Sequence, residues 1–286
     1  MKIPPSELPL QPSGAIYHIG IHPENLADKV ILVGDPGRVP TISAKFNTIE
    51  FTNSHRELTT HTGWYKNKRL SVLSTGMGTD NIDIVMTELD ALANVDLQKM
   101  EANSEHKTLT LVRIGTCGAI QEDIPAGSCI ASKFGFGFDG LMQFYQHNSQ
   151  DYEELVKHFI DFTGWGERLP YPYCYPADEI LLKTIAFDMV QGITASAPGF
   201  FGPQGRAVRA PLAFPNLNEK IEAFNFNNQR ITNLEMECSA IYGLGNLLGH
   251  KTLTVCLAIA NRVTHHFLKD YSKEMEQLIT KVLDRI

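Results

Sequence analysis

The stretch ILVGDPGR, Ile31 to Arg38, is the clearest strand-and-turn signal in the sequence. Three aliphatic residues lead into a Gly-Asp-Pro-Gly turn that ends on an arginine, a pattern typical of a buried strand followed by a tight turn. That arginine either faces water, as it does after many strands, or is presented to a ligand. The rest of the sequence is needed to choose between these alternatives.

The composition limits the class of protein. The chain has 286 residues, of which 43% are hydrophobic, enough for one substantial core. Its net charge of −7 and the lack of a Lys/Arg run argue against nucleic-acid binding. No apolar window suits a membrane span, and the polar start is unlike a signal peptide. Five scattered cysteines without a CxxC pair favour reduced thiols in the cytoplasm over disulfides or a zinc site.

Strand-like and helix-like segments alternate along the chain. The predicted strands are Lys29–Val33, Leu58–Tyr65, Arg69–Ser74, Thr108–Ile114, Ser128–Phe134, Gly192–Ala197 and Thr252–Ile259. Helices are predicted over 82–93, from Glu235–Glu237 to Gly249, and from Ser272 onward. This alternation predicts an α/β fold with helices on both faces of a sheet. We expect a single domain over 1–286, with 1–25 as an N-terminal arm and with 140–190, rich in Tyr, Pro and charge, as an excursion from the sheet.

The stretch GFGFDG, Gly135 to Gly140, matches the GxGxxG pattern of dinucleotide-binding proteins. That pattern functions only where the third glycine opens a helix on which a pyrophosphate rests. The aromatic residues around these glycines do not favour a helix start. Nicotinamide and flavin binding are therefore disfavoured.

Two further glycine turns follow predicted strands. STGMGTDN, Ser74 to Asn81, precedes a helix, so its backbone N–H groups form either an anion-binding concavity or only a tight connection. It lacks the GK[ST] of a P-loop, which argues against a nucleoside triphosphate. LVRIGTCGAI, Leu111 to Ile120, buries Arg113 in a strand predicted to end at Gly-Thr-Cys-Gly. The partner of Arg113 is either an internal carboxylate or an oxyanion shared with Thr116 and Arg38.

Three other stretches carry polar groups suited to a small ligand. NSHRELTT contains Arg56, and GFFGPQGR contains Gln204 and Arg206. The amide and the guanidinium of the latter pair could read a heterocycle that has both C=O and N–H edges. NLEMECSA contains Glu235 and Glu237, which diverge on a helix and share a face on a strand. One of them could hold a diol, or both could simply begin a solvated helix.

In this order and spacing, the motifs resemble those of the nucleoside phosphorylase family, and they are most similar to its uridine-cleaving branch. The resemblance covers most of the chain and rests on GDPGR, SHRELTTHTG, STGMG, RIGTCGAI, the Q-x-R of GPQGR, and LEMECSAIY. It implies a central mixed, partly barrel-like β-sheet flanked by helices. It also implies a pentosyltransferase that reversibly converts uridine and phosphate to uracil and ribose 1-phosphate, with deoxyuridine and thymidine as further candidate substrates.

The resemblance implies a role for each matching residue. The phosphate-binding positions are Gly34, Arg38, Arg113 and Thr116, with Arg56 supplied by a neighbouring subunit. The ribose-binding positions are Met236 and Glu237, with His18 supplied across the same interface. The base-binding positions are Phe200, Gln204 and Arg206. The residues expected to act in catalysis are Arg38, Arg113, Gln204, Arg206 and Glu237.

The implied chemistry is direct attack of phosphate on C1′ through an oxocarbenium-like transition state. It needs no enzyme nucleophile, no metal and no organic cofactor, since positioning and electrostatics carry the catalysis. Phosphate is a co-substrate. If His18 and Arg56 complete a neighbour's site, the enzyme is a homodimer-based oligomer, for which a hexamer is one candidate assembly.

The chain departs from the family pattern at two places that affect its function. Asp80 and Asn81 stand where many relatives carry Pro-Ser, which argues against the monovalent cation that Glu57 would help to hold. Asn261 stands near the aspartate that purine-specific relatives use, which disfavours purine cleavage. A purine or broad-specificity phosphorylase, a nucleoside hydrolase and a non-catalytic nucleoside-binding module are the alternatives. A hydrolase would not need the arginines Arg38, Arg56 and Arg113.

Overall fold

In the computed structural model, which describes residues 2–146 and 152–286, twelve strands form one sheet and two short strands pair separately. The strands are β1 (Lys29–Val33), β2 (Thr48–His55), β3 (Leu58–Tyr65), β4 (Lys68–Ser74), β5 (Val95–Asp96), β6 (Glu101–Ala102), β7 (Thr110–Ala119), β8 (Cys129–Gly137), β9 (Tyr173–Pro176), β10 (Val190–Ser196), β11 (Asn225–Phe226), β12 (Gln229–Glu235), β13 (Lys251–Asn261) and β14 (His266–Phe267). The α-helices of the same residues are α1 (Arg38–Ser43), α2 (Thr79–Asn94), α3 (Glu153–Thr163), α4 (Glu179–Ile185), α5 (Leu217–Ala223), α6 (Cys238–Leu247) and α7 (Ser272–Arg285).

Five strands of the sheet close into a ring. Their order is β12-β10-β8-β13-β7, and β12 returns to pair antiparallel with the end of β7, where Leu234 lies opposite Gly118. The strands β1, β4, β3 and β2 continue outward from β7 as an open wing. Parallel pairs such as β1–β7 and antiparallel pairs such as β3–β4 occur together. The expected mixed, partly barrel-like sheet with flanking helices is therefore confirmed.

Buried apolar runs account for the inner strands, and amphipathic faces account for the helices around them. Val30, Ile31, Leu32 and Val33 of β1 have no exposed surface, as expected for a parallel strand that is covered on both faces. In α2 and α7, the apolar residues at helical spacing form the buried face, as the sequence predicted.

The strand β7 is longer than its sequence predicted. The prediction ended it at Ile114, before Gly-Thr-Cys-Gly, but the strand continues to Ala119. It continues because β13 runs parallel beside it, with Lys251 opposite Thr110 and Asn261 opposite Ala119. The glycine-containing segment is thus part of the barrel wall.

Residues 140–190, apart from 147–151, which lie outside the described residues, contain α3, β9 and α4. The strand β9 pairs antiparallel with β8, so part of this segment joins the sheet. In the GxGxxG match, Gly135 and Gly137 lie inside β8, and Gly140 leads only into a four-residue 3-10 turn. The third glycine of the match therefore does not open the α-helix that a dinucleotide-binding turn requires.

The N-terminal residues pack against the rest of the chain. Ile16 and Ile19 of the AIYHIGI patch are fully buried, and Lys2 forms a β-bridge with Glu101. All five cysteines are free thiols, which agrees with the prediction from their spacing. Over residues 2–146 and 152–286, every helix is too short or too polar to cross a membrane.

Candidate active site

A cavity of about 630 Å³ opens where the carboxyl ends of β1, β4, β10 and β12 approach the wall formed by β7. Ligand sites of α/β proteins commonly lie at this edge of the sheet. The residues that were singled out from the sequence and line the cavity are Gly34, Arg38, Glu57, Arg113, Thr116, Phe200, Gln204, Arg206, Glu235, Met236 and Glu237. His18 and Arg56 are not among its lining residues.

The GDPGR turn is built by its aspartate. Asp35 Oδ1 accepts a hydrogen bond from the Gly37 N–H at 2.8 Å, and the Asp35 carbonyl accepts one from the Arg38 N–H at 3.0 Å. The turn starts α1 at Arg38 and directs its guanidinium to β7, where Nη1 lies 3.4 Å from the Ile114 carbonyl oxygen. Burial, followed by the nearby charge of Arg113, lowers the pKa of Arg38. Two guanidinium groups therefore face the same end of the cavity.

Arg113 lies between two buried carboxylates. Its Nη1 is 3.2 Å from Glu235 Oε2, its Nη2 donates to Glu237 Oε2, and only 4% of the residue is exposed. Burial alone would lower the pKa of Arg113, but the two carboxylates raise it above its ordinary value. The arginine therefore has the internal carboxylate partners that the sequence left as one alternative. It also lines the cavity, so the second alternative, an external oxyanion, stays a prediction.

Glu235 and Glu237 converge although they are two residues apart. Glu235 is the last residue of β12, whereas Glu237 is the N-cap residue of α6, so the chain turns between them and both carboxylates reach Arg113. Both side chains are buried, which excludes a solvated helix start. Burial, partly offset by Arg113, raises the pKa of Glu237.

The glycine turn after β4 donates a hydrogen bond to a carboxylate of the protein itself. The N–H of Gly78, a residue with φ of 97°, donates to Glu237 Oε1 at 2.8 Å. Gly76 and Met77 of the same turn line the cavity. One N–H of the turn therefore binds a carboxylate of the chain, and the binding of an external anion at this turn stays a prediction.

The opposite end of the cavity combines an aromatic ring, an amide and two guanidinium groups. The Arg206 guanidinium lies 3.8 Å from the centre of the Phe200 ring, and its Nη1 donates to Gln204 Oε1 at 2.6 Å. Burial and the adjacent Arg262 lower the pKa of Arg206 to about 10, so it is a cation at neutral pH. Arg262 Nη1 donates to the Gln204 carbonyl at 3.3 Å.

Several residues that line this end of the cavity were not identified from the sequence, and Arg262 is the most polar of them. It follows Asn261 directly at the end of β13, whereas Arg38 follows the end of β1 only after a four-residue turn. A charged residue directly after an apolar strand is the sequence signal that could have identified Arg262. Apolar Ile259 and Phe267, close to it in the chain, complete the wall.

His18 and Arg56 lie together outside the cavity. His18 Nδ1 is 2.7 Å from Glu88 Oε1, and the His18 ring packs edge-on against Tyr17. The guanidinium of the exposed Arg56 lies 5.7 Å from the centre of the same Tyr17 ring. The two residues that were expected to act on a neighbour thus form one cluster with Tyr17.

The side chain of Asn261 forms hydrogen bonds with the backbone. Its Nδ2 donates to the carbonyls of Gln121 and Ile124, both at 2.8 Å, and its Oδ1 accepts from the N–H groups of Val263 and Thr264. The side chain is buried and is absent from the lining of the cavity. All four hydrogen-bonding positions of the amide are therefore used to hold the backbone.

Elsewhere in the described residues, Asp90, His106 and His250 lie close enough together to be considered as metal ligands. His250 Nδ1 accepts the N–H of Leu109 at 3.1 Å, so the neutral ring carries its proton on Nε2, which faces Asp90 Oδ1 at 3.2 Å. A metal at Nε2 would need that proton removed. The occupied Nδ1 therefore argues against a metal ion at His250, and the buried Nε2 has no hydrogen-bond partner within the described residues at this approach to Asp90.

Both the sequence and the fold match those of known proteins. The model of the Phosphorylase superfamily matches residues 28–286. A uridine phosphorylase of Thermococcus kodakarensis is 32% identical, over 96% of this chain and 87% of its own. A DeoD-type purine nucleoside phosphorylase of Geobacillus stearothermophilus is 41% identical over 83% of each chain. A crystal structure of a Trypanosoma brucei nucleoside phosphorylase, described as showing uridine phosphorylase activity, superposes with a TM-score of 0.87 at 30% identity, over 98% of this chain and 100% of its own.

Proposed function

The chain belongs to the phosphorylase superfamily, and on that basis we propose that it is a uridine phosphorylase, a pentosyltransferase that cleaves uridine with inorganic phosphate. The observation that carries the proposal is the division of one cavity into two ends. Arg38 and Arg113 lie near Ile114 of β7, whereas Arg206, which holds Gln204, lies near Gly118 further along the same strand. A nucleoside between them would have its sugar at the centre and its base on the amide and guanidinium side.

The arginine end suits phosphate. Arg38 and Arg113 are close enough for their charges to interact unfavourably, and a phosphate dianion between them would relieve that repulsion. The Thr116 hydroxyl and the backbone at Gly34 line the same end and would complete the coordination. A phosphate held there faces the centre of the cavity, where C1′ of the sugar would lie.

The centre of the cavity suits a ribose. Glu237 is buried, and its two carboxylate oxygens accept from the Gly78 N–H and from Arg113 Nη2, which together orient it. A carboxylate can accept hydrogen bonds from vicinal hydroxyls, so the diol of a ribose would lie on Glu237 beside Met236. Phosphate and sugar then share Arg113 as a common neighbour.

The opposite end suits the uracil leaving group. The ring would pack near Phe200, and Gln204 and Arg206 would donate to its oxygens as negative charge accumulates there. Since Gln204 Oε1 already accepts from Arg206, its Nε2 is the group free to donate. Losing one such donor costs about 3–4 kcal/mol of transition-state stabilisation, or roughly 10²–10³ in rate.

We propose a homodimer-based oligomer as the active form. His18 and Arg56 carry groups suited to a 5′-hydroxyl and to phosphate, but both lie away from the cavity of their own chain. In a symmetric dimer the same cluster of one subunit would reach the cavity of the other. We further propose that no cofactor beyond phosphate takes part and that the enzyme acts in the cytoplasm, where its free thiols would stay reduced.

The test is uracil release from uridine, measured with and without inorganic phosphate. The proposal requires release that depends on phosphate and is accompanied by ribose 1-phosphate. Release of uracil at the same rate without phosphate would identify a hydrolase and contradict the role of the arginines. Tight uridine binding without turnover would identify a non-catalytic module.

Purine nucleoside cleavage is the second candidate, because the Geobacillus stearothermophilus relative is a purine enzyme at 41% identity. Inosine, added as a parallel substrate in the same assay, distinguishes the two. Phosphate-dependent hypoxanthine release that exceeds uracil release would assign the protein to purines. The absence of a carboxylic acid at Asn261 and the presence of Gln204 with two arginines favour uridine.

A further inference from the structure

Glu235 contacts both halves of the candidate site at once. Its Oε2 lies 3.2 Å from Arg113 Nη1 and also accepts a hydrogen bond from the Glu237 N–H at 2.9 Å. Arg113 belongs to the proposed phosphate end, and Glu237 belongs to the proposed ribose centre. One carboxylate therefore connects the two groups that must bring phosphate and sugar together.

The carboxylate of Glu235 also accepts hydrogen bonds from residues that do not line the cavity. Its Oε1 accepts from the Ser196 hydroxyl at 2.5 Å, and both of its oxygens lie 3.0 Å from the Cys238 N–H. The Ser196 hydroxyl in turn accepts the Ser239 N–H at 2.9 Å. Because these amides open α6, the carboxylate caps that helix and cannot move without uncapping it.

Glu237 is held less firmly than Glu235. Its carboxylate oxygens accept from the Gly78 N–H and from Arg113. A ribose hydroxyl that donates to Glu237 would therefore share an oxygen with one of these two donors. The Nε of Arg113 is buried without a hydrogen-bond partner, so the guanidinium is oriented mainly by its two carboxylates and by Cys256 Sγ at 3.3 Å. Of the two carboxylates, only that of Glu235 is free of a proposed substrate role.

We propose that Glu235 is a positioning residue that keeps the phosphate arginine aligned with the ribose carboxylate. The inference rests on the proposed function, because it concerns the approach of phosphate to C1′. Glu235 acts through Arg113 and through the backbone of Glu237, and its carboxylate oxygens are committed to protein donors. A displacement of about 1 Å between reacting groups costs on the order of 10²-fold in rate, so the alignment affects kcat directly.

The electrostatics give this role a distinct kinetic signature. Removing the negative charge of Glu235 leaves Arg113 with a single carboxylate and makes the phosphate end more positive. Phosphate should therefore bind Glu235→Gln as well as wild type or more tightly, while kcat falls about 10²-fold. General loss of structure would instead weaken the binding of both substrates.

The experiment measures kcat and both KM values for wild type, Glu235→Gln and Glu235→Asp, with phosphate affinity determined separately by calorimetry. Asp keeps the charge, but its shorter side chain cannot reach Arg113 and the α6 amides together. Glu235→Asp should therefore lose kcat as Glu235→Gln does. Recovery of kcat in Glu235→Asp would overturn positioning and leave only a charge effect, and a folded Glu235→Gln with nearly wild-type kcat would overturn the proposal outright.

A milder pair of variants covers the case in which Glu235→Gln does not fold. Ser196→Ala removes one anchor of Glu235, and Ser132→Ala removes a buried hydroxyl that bonds to Thr194 Oγ1 at 2.5 Å in the same layer. Ser196→Ala should lower kcat about five- to ten-fold with both KM values nearly unchanged, whereas Ser132→Ala should keep kcat. Equal kcat in the two variants would overturn the proposal.

The calorimetry separates this inference from the function on which it rests. A wild-type protein that binds phosphate but cleaves no nucleoside contradicts the proposed function. If the wild type cleaves uridine with phosphate, a folded Glu235→Gln that keeps wild-type kcat overturns the inference alone and leaves the function standing.

Discussion

Arg206 Nη1 donates to Gln204 Oε1 at 2.6 Å, and this bond fixes which way the buried amide faces. Gln204 is 2% exposed and its side-chain oxygen is already used, so Nε2 is the group that it offers to a base. The pair therefore acts as a set of donors, which suits an oxygen-rich pyrimidine edge that gains negative charge.

Gln204→Glu should lower kcat/KM for uridine by roughly 10²–10³. The new carboxylate would pair with Arg206 and would remove the donor that faces the base. Steady-state kinetics with saturating phosphate measures the effect, and KM for phosphate serves as the internal control. A fall of less than about tenfold would contradict the assignment of Nε2 to the leaving group.

Gly115→Ala should abolish most activity, because a Cβ at this position would overlap the Arg113 guanidinium. Gly118→Ala, in the same strand, is the matched control, since its Cβ would meet Arg262 Cγ at an ordinary 3.4 Å. We expect phosphate binding to be lost in the first variant and retained in the second. Calorimetric titration with phosphate checks this, and equal binding by both variants would contradict the role of Arg113.

The acid side of the pH profile should report Glu237. Burial raises the pKa of this carboxyl, with Arg113 opposing the shift, so its ionised form is lost at a higher pH than for an ordinary glutamate, near 4.3. If the ionised form binds the ribose diol, kcat/KM for uridine at saturating phosphate should fall as pH decreases, beginning above that value. A profile that stays flat to pH 4.5 in folded protein, as judged by circular dichroism, would argue against the ribose role.

Asn261→Asp should destabilise the protein and should not create purine cleavage. The two carbonyls that accept from Nδ2 would face a carboxylate oxygen, at a cost of about 1–3 kcal/mol or more in unfolding free energy. Denaturant unfolding measures the loss. A stable variant that cleaves inosine would show that position 261 reaches the base after all.

A mixture of Arg56→Ala and Arg113→Ala should recover activity that neither variant has alone. In a mixed dimer, one cavity with an intact Arg113 receives the intact Arg56 of its partner. Random mixing should restore up to about a quarter of wild-type activity, because half of the dimers are mixed and each has one complete site. The measurement follows co-refolding of the two variants, and no recovery would contradict a site shared between subunits.

The sequence predicted the elements that have long apolar runs or strong periodicity. The strands β1 and β3 have their predicted bounds, and α7 begins at the predicted Ser272. The strand β2 was missed because its side chains are largely exposed at the edge of the sheet. The helix α1 was missed because six residues are too few to establish a helical period.

In the candidate site, too, features with a local sequence pattern were predicted and features that depend on distant contacts were not. Arg113 attracted notice because a charge stood inside an apolar strand, but its partners were undecided. Glu237 lies 124 residues further along the chain, and only the closure of the barrel brings it to Arg113. The period of a strand or helix carries no information about such a distant pairing, and Arg262 was missed for a similar reason, since its role depends on where the segment with Gln204 packs.

The closure of the ring by β12 has a consequence for how the protein is made. On the ribosome, Arg113 emerges 124 residues before Glu237, an interval of roughly 6–25 s at 5–20 residues per second. A guanidinium without its counter-charges resists burial. We therefore expect the segment of β7 around Arg113 to stay hydrated until β12 is synthesised. The last third of the chain therefore sets the time at which Arg113 of a nascent molecule meets its two carboxylates, and a truncated product would expose an unpaired arginine and an open barrel.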